Sequence, residues 1–384
     1  MKLRQWQAEC SKIAINRFKK GQKHVFVLAT PGAGKTVMAA WTAHELHKNG
    51  LIDYVVCFAP SLSVLEGMRV TFSSILNRPM TGLLGAAGGV FSYQYLANSK
   101  TADWSFLKNH RVLVIFDEIH HCSGDDPEIA NAWGREIISN IALHARFVLS
   151  MTGTPWRSDL TKISLAKYIV PEGTIKCDYS YGLSKAIQDG VCRLPLVTLI
   201  DNDQLKVAEK TFSSLGAAIK QSELRYSEIL KNDYAVKYLI GLAVKKLEFT
   251  RVEQPNSAGL VVASSVEEAV RIQQMLLIEF EQPSIVVSYK DQDAHKKIND
   301  FRTSDAKWII SIGMISEGTD IPRLRVCVHL SLIRTELFFR QVLGRILRLI
   351  PGISNDKGWL FSFAEPSLVE FGKRNSNHTL RCGC

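Results

Sequence analysis

Residues 24–46, HVFVLATPGAGKTVMAAWTAHEL, restrict the fold more than any other stretch of the chain. An apolar run of strand length gives way to a turn of small residues, then to apolar residues at helical spacing. Strand, glycine turn and helix make one half of a parallel α/β unit. The turn, ATPGAGKT from Ala29 to Thr36, has the chemistry of a phosphate cradle. Gly32 and Gly34, on either side of Ala33, let the backbone turn N–H groups outward, and the following helix presents its positive end. Lys35 supplies a point charge for phosphate oxygens, and the Thr36 hydroxyl is a ligand type suited to Mg²⁺. Ala29 stands where the general G-x-x-x-x-G-K-[ST] pattern has its first glycine.

Other apolar runs repeat the strand signal. YVVCFAP, RVLVIFDE and ARFVLSMTGTP each end in a polar or Gly/Pro loop, as buried parallel strands do, with function expected at their carboxyl ends. Regularity breaks after Arg157. Residues 204–250 carry Lys, Glu, Leu and Ala at helical spacing and end near the turn-rich VEQPNS. The α/β signal then resumes with GLVVASS, a helix through VEEAVRIQQMLLIEF, the strands SIVVSY, KWIISIG and RVCVHLSL, and a helix from about Thr335. A chain of 384 residues exceeds one ordinary core. The expected organisation is an α/β fold of two tandem domains with parallel sheets flanked by helices: residues 1–165, a linker and helical segment over 166–250, and residues 251–384.

The formal net charge of +10 favours a polyanionic partner such as nucleic acid, because basic proteins gain from releasing counterions off phosphates. The eight cysteines are scattered with no C-x-x-C pair, a pattern of reduced core thiols rather than a disulfide framework. No run approaches the roughly 18 apolar residues needed to cross a bilayer. The amino terminus lacks a secretory pattern. A cytoplasmic protein with no membrane association is expected.

Residues 116–122, FDEIHHC, bring together types that could hold zinc. Zinc-ligand pairs usually stand two to five residues apart so that they converge on one ion, whereas His120, His121 and Cys122 are consecutive. On an extended strand such neighbours point to opposite faces. At the end of RVLVIF, Asp117 instead occupies the place where a second strand of a P-loop domain offers a carboxylate to Mg²⁺, and Glu118 that of a base or water-orienting group.

With these residues in hand the chain resembles the superfamily 2 DExH-box helicases and translocases, whose motifs follow in the same order from Leu3 to about Phe363. DEIH matches the DExH box. LRQWQ resembles the adenine-reading Q-type motif and implicates Arg4 and Gln7. ATPGAGKT is that family's motif I, where alanine commonly opens the loop. PSLSVLEG and FSYQYL resemble strand-binding motifs and imply that Ser61, Ser92 and Gln94 approach a nucleic-acid backbone. TGTP, Thr152 to Pro155, resembles the coupling motif, with Thr152 and Thr154 in that role and His120 as the coupling residue of the DExH box; His121 and Cys122 have no matching role. SEGTDIP and QVLGRILR resemble motifs V and VI. TGTPWR and YGLSKAIQDGV are most similar to the branch containing the type III restriction subunit, XPB and UvrB relatives.

The resemblance implies two RecA-like domains, ATP and Mg²⁺ as ligands, and nucleic acid, DNA more than RNA, as partner. It assigns Gly318 and Asp320 to the ATP cleft. QVLGRILR puts Gln341, Arg345 and Arg348 at i, i+4 and i+7, one face of a helix; the family makes Arg345 and Arg348 arginine fingers, with Gln341 touching His120 on closure. The expected function is an ATP-dependent helicase or translocase. A duplex translocase without strand separation and a nucleotide-gated sensing module are the alternatives. The two-domain core leaves no room for a nuclease domain, so a restriction activity would need a partner chain.

Overall fold

Strands with no polar face must be covered on both sides, and the chain meets that demand twice. The computed structural model describes residues 2–98, 104–124, 130–155, 157, 161–169, 174–203, 205–207, 210–313, 321–349, 356–375 and 379–383. It divides into two units, Met1–Ala186 and Ile187–Cys384.

In the first unit, α1 (Gln5–Lys19) leads to β1 (His24–Ala29), α2 (Lys35–Lys48), β2 (Tyr54–Ala59), α3 (Leu62–Leu76) and β3 (Gly88–Ser92). Then come α4 (Tyr93–Asn98), α5 (Phe106–Asn109), β4 (Val112–Phe116), β5 (Phe147–Thr152) and β6 (Tyr179–Tyr181). The sheet order is β3-β2-β4-β5-β1-β6 and every pairing is parallel. Every residue of β4 and β5 is buried, as expected of central strands covered on both faces. One face packs Phe26, Val56, Phe58, Val114 and Phe116 with Tyr93, Leu96 and Leu107; α1 and α2 pack against each other.

In the second unit, β7 (Leu194–Asp201) precedes α6 (Asp233–Glu253), β8 (Ala258–Ala263), α7 (Val266–Phe280), β9 (Ser284–Ser288), α8 (Ala294–Thr303), β10 (Trp308–Ile312) and β11 (Leu324–Leu330). α9 (Glu336–Ile346), β12 (Lys357–Phe363), α10 (Pro366–Asn375) and β13 (Thr379–Gly383) complete it. The order β9-β10-β8-β11-β12-β7-β13 is again wholly parallel.

The segment expected to link the domains, 166–250, is shared out between the sheets instead. β6 extends the first sheet beside β1, while β7 is an inner strand of the second, between β12 and β13. LPLVTLID alternates partly buried and buried positions before a buried end, a weaker signal than the all-apolar runs. The helix expected through QVLGRILR also stops early, at Ile346. Arg193 explains the stop: its main-chain N–H donates to the Leu347 carbonyl at 2.8 Å and its guanidinium to the Ile346 carbonyl at 3.3 Å. Arg348 therefore lies beyond the helix, bridged to Cys192, and is not on one helical face with Gln341 and Arg345.

Arg193 is itself fully buried, and Asp356 is paired with both Arg193 and Arg325. No helix among the described residues is long and apolar enough to cross a membrane.

Candidate functional site

β1 ends at Ala29 and the loop turns into α2 at Lys35. Gly34 has φ 92° and ψ 42°, a left-handed conformation that a side chain strains. A Cβ there would also lie 2.8 Å from Gln7 Nε2. That close approach is a brace. Arg4 donates to the Ala33 carbonyl at 2.7 Å and Gln7 Nε2 to the Gly34 carbonyl at 2.9 Å, while Gln7 Oε1 accepts the Arg4 main-chain N–H at 2.9 Å. Trp6 stacks on Tyr181 with centroids 4.7 Å apart, and the Tyr181 carbonyl accepts the Thr30 N–H at 3.0 Å. Arg4 and Gln7 thus stand beside the loop and hold its backbone.

Inside the loop, Lys35 is buried and donates to the Ala29 carbonyl at 3.3 Å. Its ammonium pairs with Glu118 at 3.0 Å. The structure therefore brings the first and fourth strand ends together, with Asp117 and Glu118 next to the phosphate loop. The strand ends at Phe116, and Ile119–His121 form a 3-10 turn rather than the extended segment assumed for the zinc comparison. Glu118 itself is left-handed, φ 49°, a strain that non-glycine residues carry mostly at functional sites.

The two carboxylates are in opposite electrostatic states. Burial and the neighbouring Glu118 push Asp117 up to about 7 despite the opposing pull of Lys35. Its Oδ1 accepts the Glu118 N–H at 3.1 Å, and it forms no ion pair among the described residues. Burial also acts to raise Glu118, but Lys35, His120 and the Gly153 N–H outweigh it and hold the carboxyl well below its usual range. Gly153 N–H donates to Glu118 Oε2 at 3.0 Å and the Thr152 hydroxyl at 3.3 Å.

A buried, uncompensated carboxylate is where a divalent cation would relieve charge, so Asp117 fits the Mg²⁺ role. Thr36, half-buried in the first turn of α2, makes no side-chain hydrogen bond among the described residues and can supply a second oxygen. Among the described residues, no group of three His, Cys, Asp or Glu side chains is placed to hold a metal ion.

His120 Nδ1 lies 2.9 Å from the Thr152 hydroxyl and 3.3 Å from that of Thr154, linking the β4 turn to the end of β5. Cys122 is buried in the core. Ser61, Ser92 and Gln94 gather at the carboxyl ends of β2 and β3, where Ala59 and Ser92 are register partners. Ser61 caps α3 through the Val64 N–H, Ser92 accepts the Tyr95 N–H at 3.4 Å, and Gln94 Nε2 reaches the Pro60 carbonyl at 3.5 Å.

In the second unit, Gln341 and Arg345 lie on α9, with Arg345 buried. Gly318 and Asp320 lie outside the described residues. Sequence reasoning missed three contributors. The Tyr93 hydroxyl donates to the Asp117 carbonyl at 2.8 Å, Gly153 offers its N–H, and Tyr181 supports the loop. Tyr93 and Tyr181 lie inside quoted motifs, FSYQYL and YGLSKAIQDGV, but their partners are remote in sequence.

Two parallel sheets, one carrying a braced phosphate loop with a carboxylate pair at the end of β4, define a P-loop protein with tandem RecA-like domains. Residues 1–157 match the family model described as "Type III restriction enzyme, res subunit", and residues 237–349 match "Helicase conserved C-terminal domain". The chain belongs to helicase superfamily 2. A Mycobacterium leprae protein described as uncharacterized is 28% identical over 368 residues, 90% of this chain and 59% of the relative. The DNA 3′-5′ translocase XPB2 of Sulfurisphaera tokodaii is 26% identical over 384 residues, 91% of this chain and 79% of the relative. Among solved structures, a fragment assigned as an HsdR subunit of a type I restriction enzyme from Vibrio vulnificus shares the fold at TM-score 0.66 and 15% identity, over 98% of this chain and 68% of that one. The chain spans 59% of the length of the mycobacterial relative it matches.

Proposed function

We propose that the chain is an ATP-driven nucleic-acid helicase or translocase, with DNA as the favoured track. The observation that carries this reading is the carboxylate pair at the end of β4, with Glu118 held 3.0 Å from Lys35 and Asp117 uncompensated beside it. ATP enters with its phosphates on the loop from Ala29 to Thr36, and its base lies toward Arg4 and Gln7. Lys35 exchanges Glu118 for β and γ oxygens. Glu118, still oriented by Gly153 and Thr152, then accepts the proton of the water that attacks the γ-phosphorus, and ADP leaves with the bridging oxygen. Mg²⁺, when bound, neutralises charge on the β and γ oxygens, with Thr36 and Asp117 as its protein contacts.

The His120, Thr152 and Thr154 cluster relays the state of Glu118 to the end of β5. The family resemblance assigns Gln341, Arg345 and Arg348, with Gly318 and Asp320 of motif V, to the same ATP cycle. An arginine finger is worth roughly 10³ to 10⁵ in rate, about 4 to 7 kcal/mol of barrier. Ser61, Ser92 and Gln94 meet the strand. DNA is favoured because the relative named a DNA 3′-5′ translocase aligns over 91% of this chain, and the formal charge of +10 suits a phosphate track. A nuclease or other effector chain is the proposed partner.

Paired assays test the reading: release of a labelled strand from a DNA or RNA duplex, and displacement of a third strand from a DNA triplex. ATP-dependent release in the first identifies a helicase; release only in the second identifies a duplex translocase. No ATP-dependent movement in either rejects the proposal and leaves a nucleotide-gated binding module.

A further inference from the structure

We infer that the first unit carries a second anion site, a pocket for a phosphoryl group on the rim opposite the phosphate loop. A cavity of about 590 Å³ opens where β1, β2, β4 and β5 begin. The phosphate loop follows the other end of β1, and a strand of that length at about 3.3 Å per residue sets the two rims roughly 20 Å apart. The cavity floor is apolar: Phe18 and Phe147 stack with centroids 4.6 Å apart, beside buried Leu107 and Ala145. Its walls carry the cations Lys23, Lys108, Arg111 and Arg146 beside the imidazoles of His110 and His144. Asp53 is the single acidic side chain among the lining residues.

Part of this charge has an ordinary use. Helix carboxyl ends attract cations, and four helices end near this rim. Lys23 donates to the Leu143 carbonyl at 2.6 Å, in the short helix Ala142–His144. Arg111 donates to the Gly50 carbonyl at 2.5 Å, just past α2, and grips Asp53 with bonds of 2.6 and 3.2 Å. Those contacts account for Lys23, Arg111 and Asp53. They leave Lys108, His110, His144 and Arg146, whose side chains make no hydrogen bond or ion pair among the described residues. Arg146 lies over the Phe147 ring at 5.2 Å, and His110 meets Tyr54 edge-on at 5.2 Å.

The one acid is thus already neutralised, and four donor side chains surround an apolar-floored space large enough for a small ligand. A phosphate, with two non-bridging oxygens in a diester and three in a terminal group to share among several N–H donors, matches that set better than a carboxylate. It can come from the backbone of a nucleic-acid strand or from a free polyphosphate. The site stands apart from ATP turnover, so its failure leaves the proposed function untouched.

The test uses the full chain with saturating ADP and Mg²⁺, which fill the phosphate loop, and the double variant Lys108→Ala/Arg146→Ala. Neither residue belongs to the nucleotide site, so basal ATP turnover reports intact folding. Pyrophosphate is titrated calorimetrically, and a single-stranded DNA oligonucleotide by anisotropy across a salt series. A loss of pyrophosphate affinity of at least tenfold, with oligonucleotide affinity unchanged, supports the free-polyphosphate source. Weaker oligonucleotide binding, with a log–log salt slope shallower by about 0.7 per lost contact, supports the strand source. A control variant, Lys12→Ala/Lys48→Ala, removes equal charge outside the cavity. Wild type and double variant indistinguishable with both probes, or an equal loss in the control, overturns the site.

Discussion

Replacing Glu118 by Gln separates the chemical role of this side chain from its structural one. Gln keeps an acceptor for the Gly153 N–H at 3.0 Å and the Thr152 hydroxyl at 3.3 Å, so its orientation survives. It loses the basic lone pair and the charge that faces Lys35 at 3.0 Å. Loss of a general base lowers kcat by about 10² to 10⁴, which is about 3 to 5 kcal/mol of barrier. Breaking a buried pair costs about 3–5 kcal/mol of stability where nothing compensates. Here Asp117 compensates: it stands near 7 partly because Glu118 is charged. Relief of that repulsion leaves a net destabilisation below the uncompensated figure. The assays are steady-state phosphate release, equilibrium binding of a fluorescent ATP analogue, and urea unfolding. The expected variant binds nucleotide within severalfold of wild type and turns over at least a hundredfold more slowly. Turnover within about threefold of wild type would refute the assignment of Glu118 as the base.

Three other substitutions probe the phosphate loop of the first unit and the core of the second. Gly34→Ala forces a side chain into φ 92° and against Gln7 Nε2, so urea unfolding should show a loss of about 1–2 kcal/mol and nucleotide titration a weaker affinity. Asp356→Ala leaves Arg193 and Arg325 buried without their shared carboxylate, and a loss of about 3–5 kcal/mol is expected in the same unfolding assay. Burial lowers His329 to about 4, so the unfolded chain binds its proton more readily than the folded one. Its contribution is whole above pH 6.5 and is lost as pH falls through 4, up to about 3 kcal/mol. His329→Phe, at a position whose ring nitrogens have no partner among the described residues and which meets Phe338 edge-on, should flatten that acid slope and raise stability at pH 7 by about 1 kcal/mol.

What could be read from the chain follows from the range of each interaction. Strand, loop and helix at 24–46 were legible because all three signals are local, and DEIH because it directly follows an apolar run. The structure adds what spans long separations. Tyr93 holds the Asp117 carbonyl, Tyr181 holds Thr30, and Arg193 ends α9 through carbonyls far along the chain. None of these follows a period, so no spacing marks them. β7 escaped notice because it lacks a continuous apolar run, and Arg348 was placed on a helix because the periodicity of QVLGRILR continues past the point where Arg193 intervenes. The basic cavity was invisible because its lining residues come from four separate loops.

In the proposed cycle a nucleic-acid track drives turnover at the carboxylate and lysine site. Steady-state ATP turnover of the full chain, alone and with single-stranded, duplex and forked DNA and RNA, tests it most directly. A severalfold or greater rise is expected with at least one nucleic acid, larger for DNA than for RNA, and none in Lys35→Ala. Turnover that no DNA or RNA in the panel changes would contradict it.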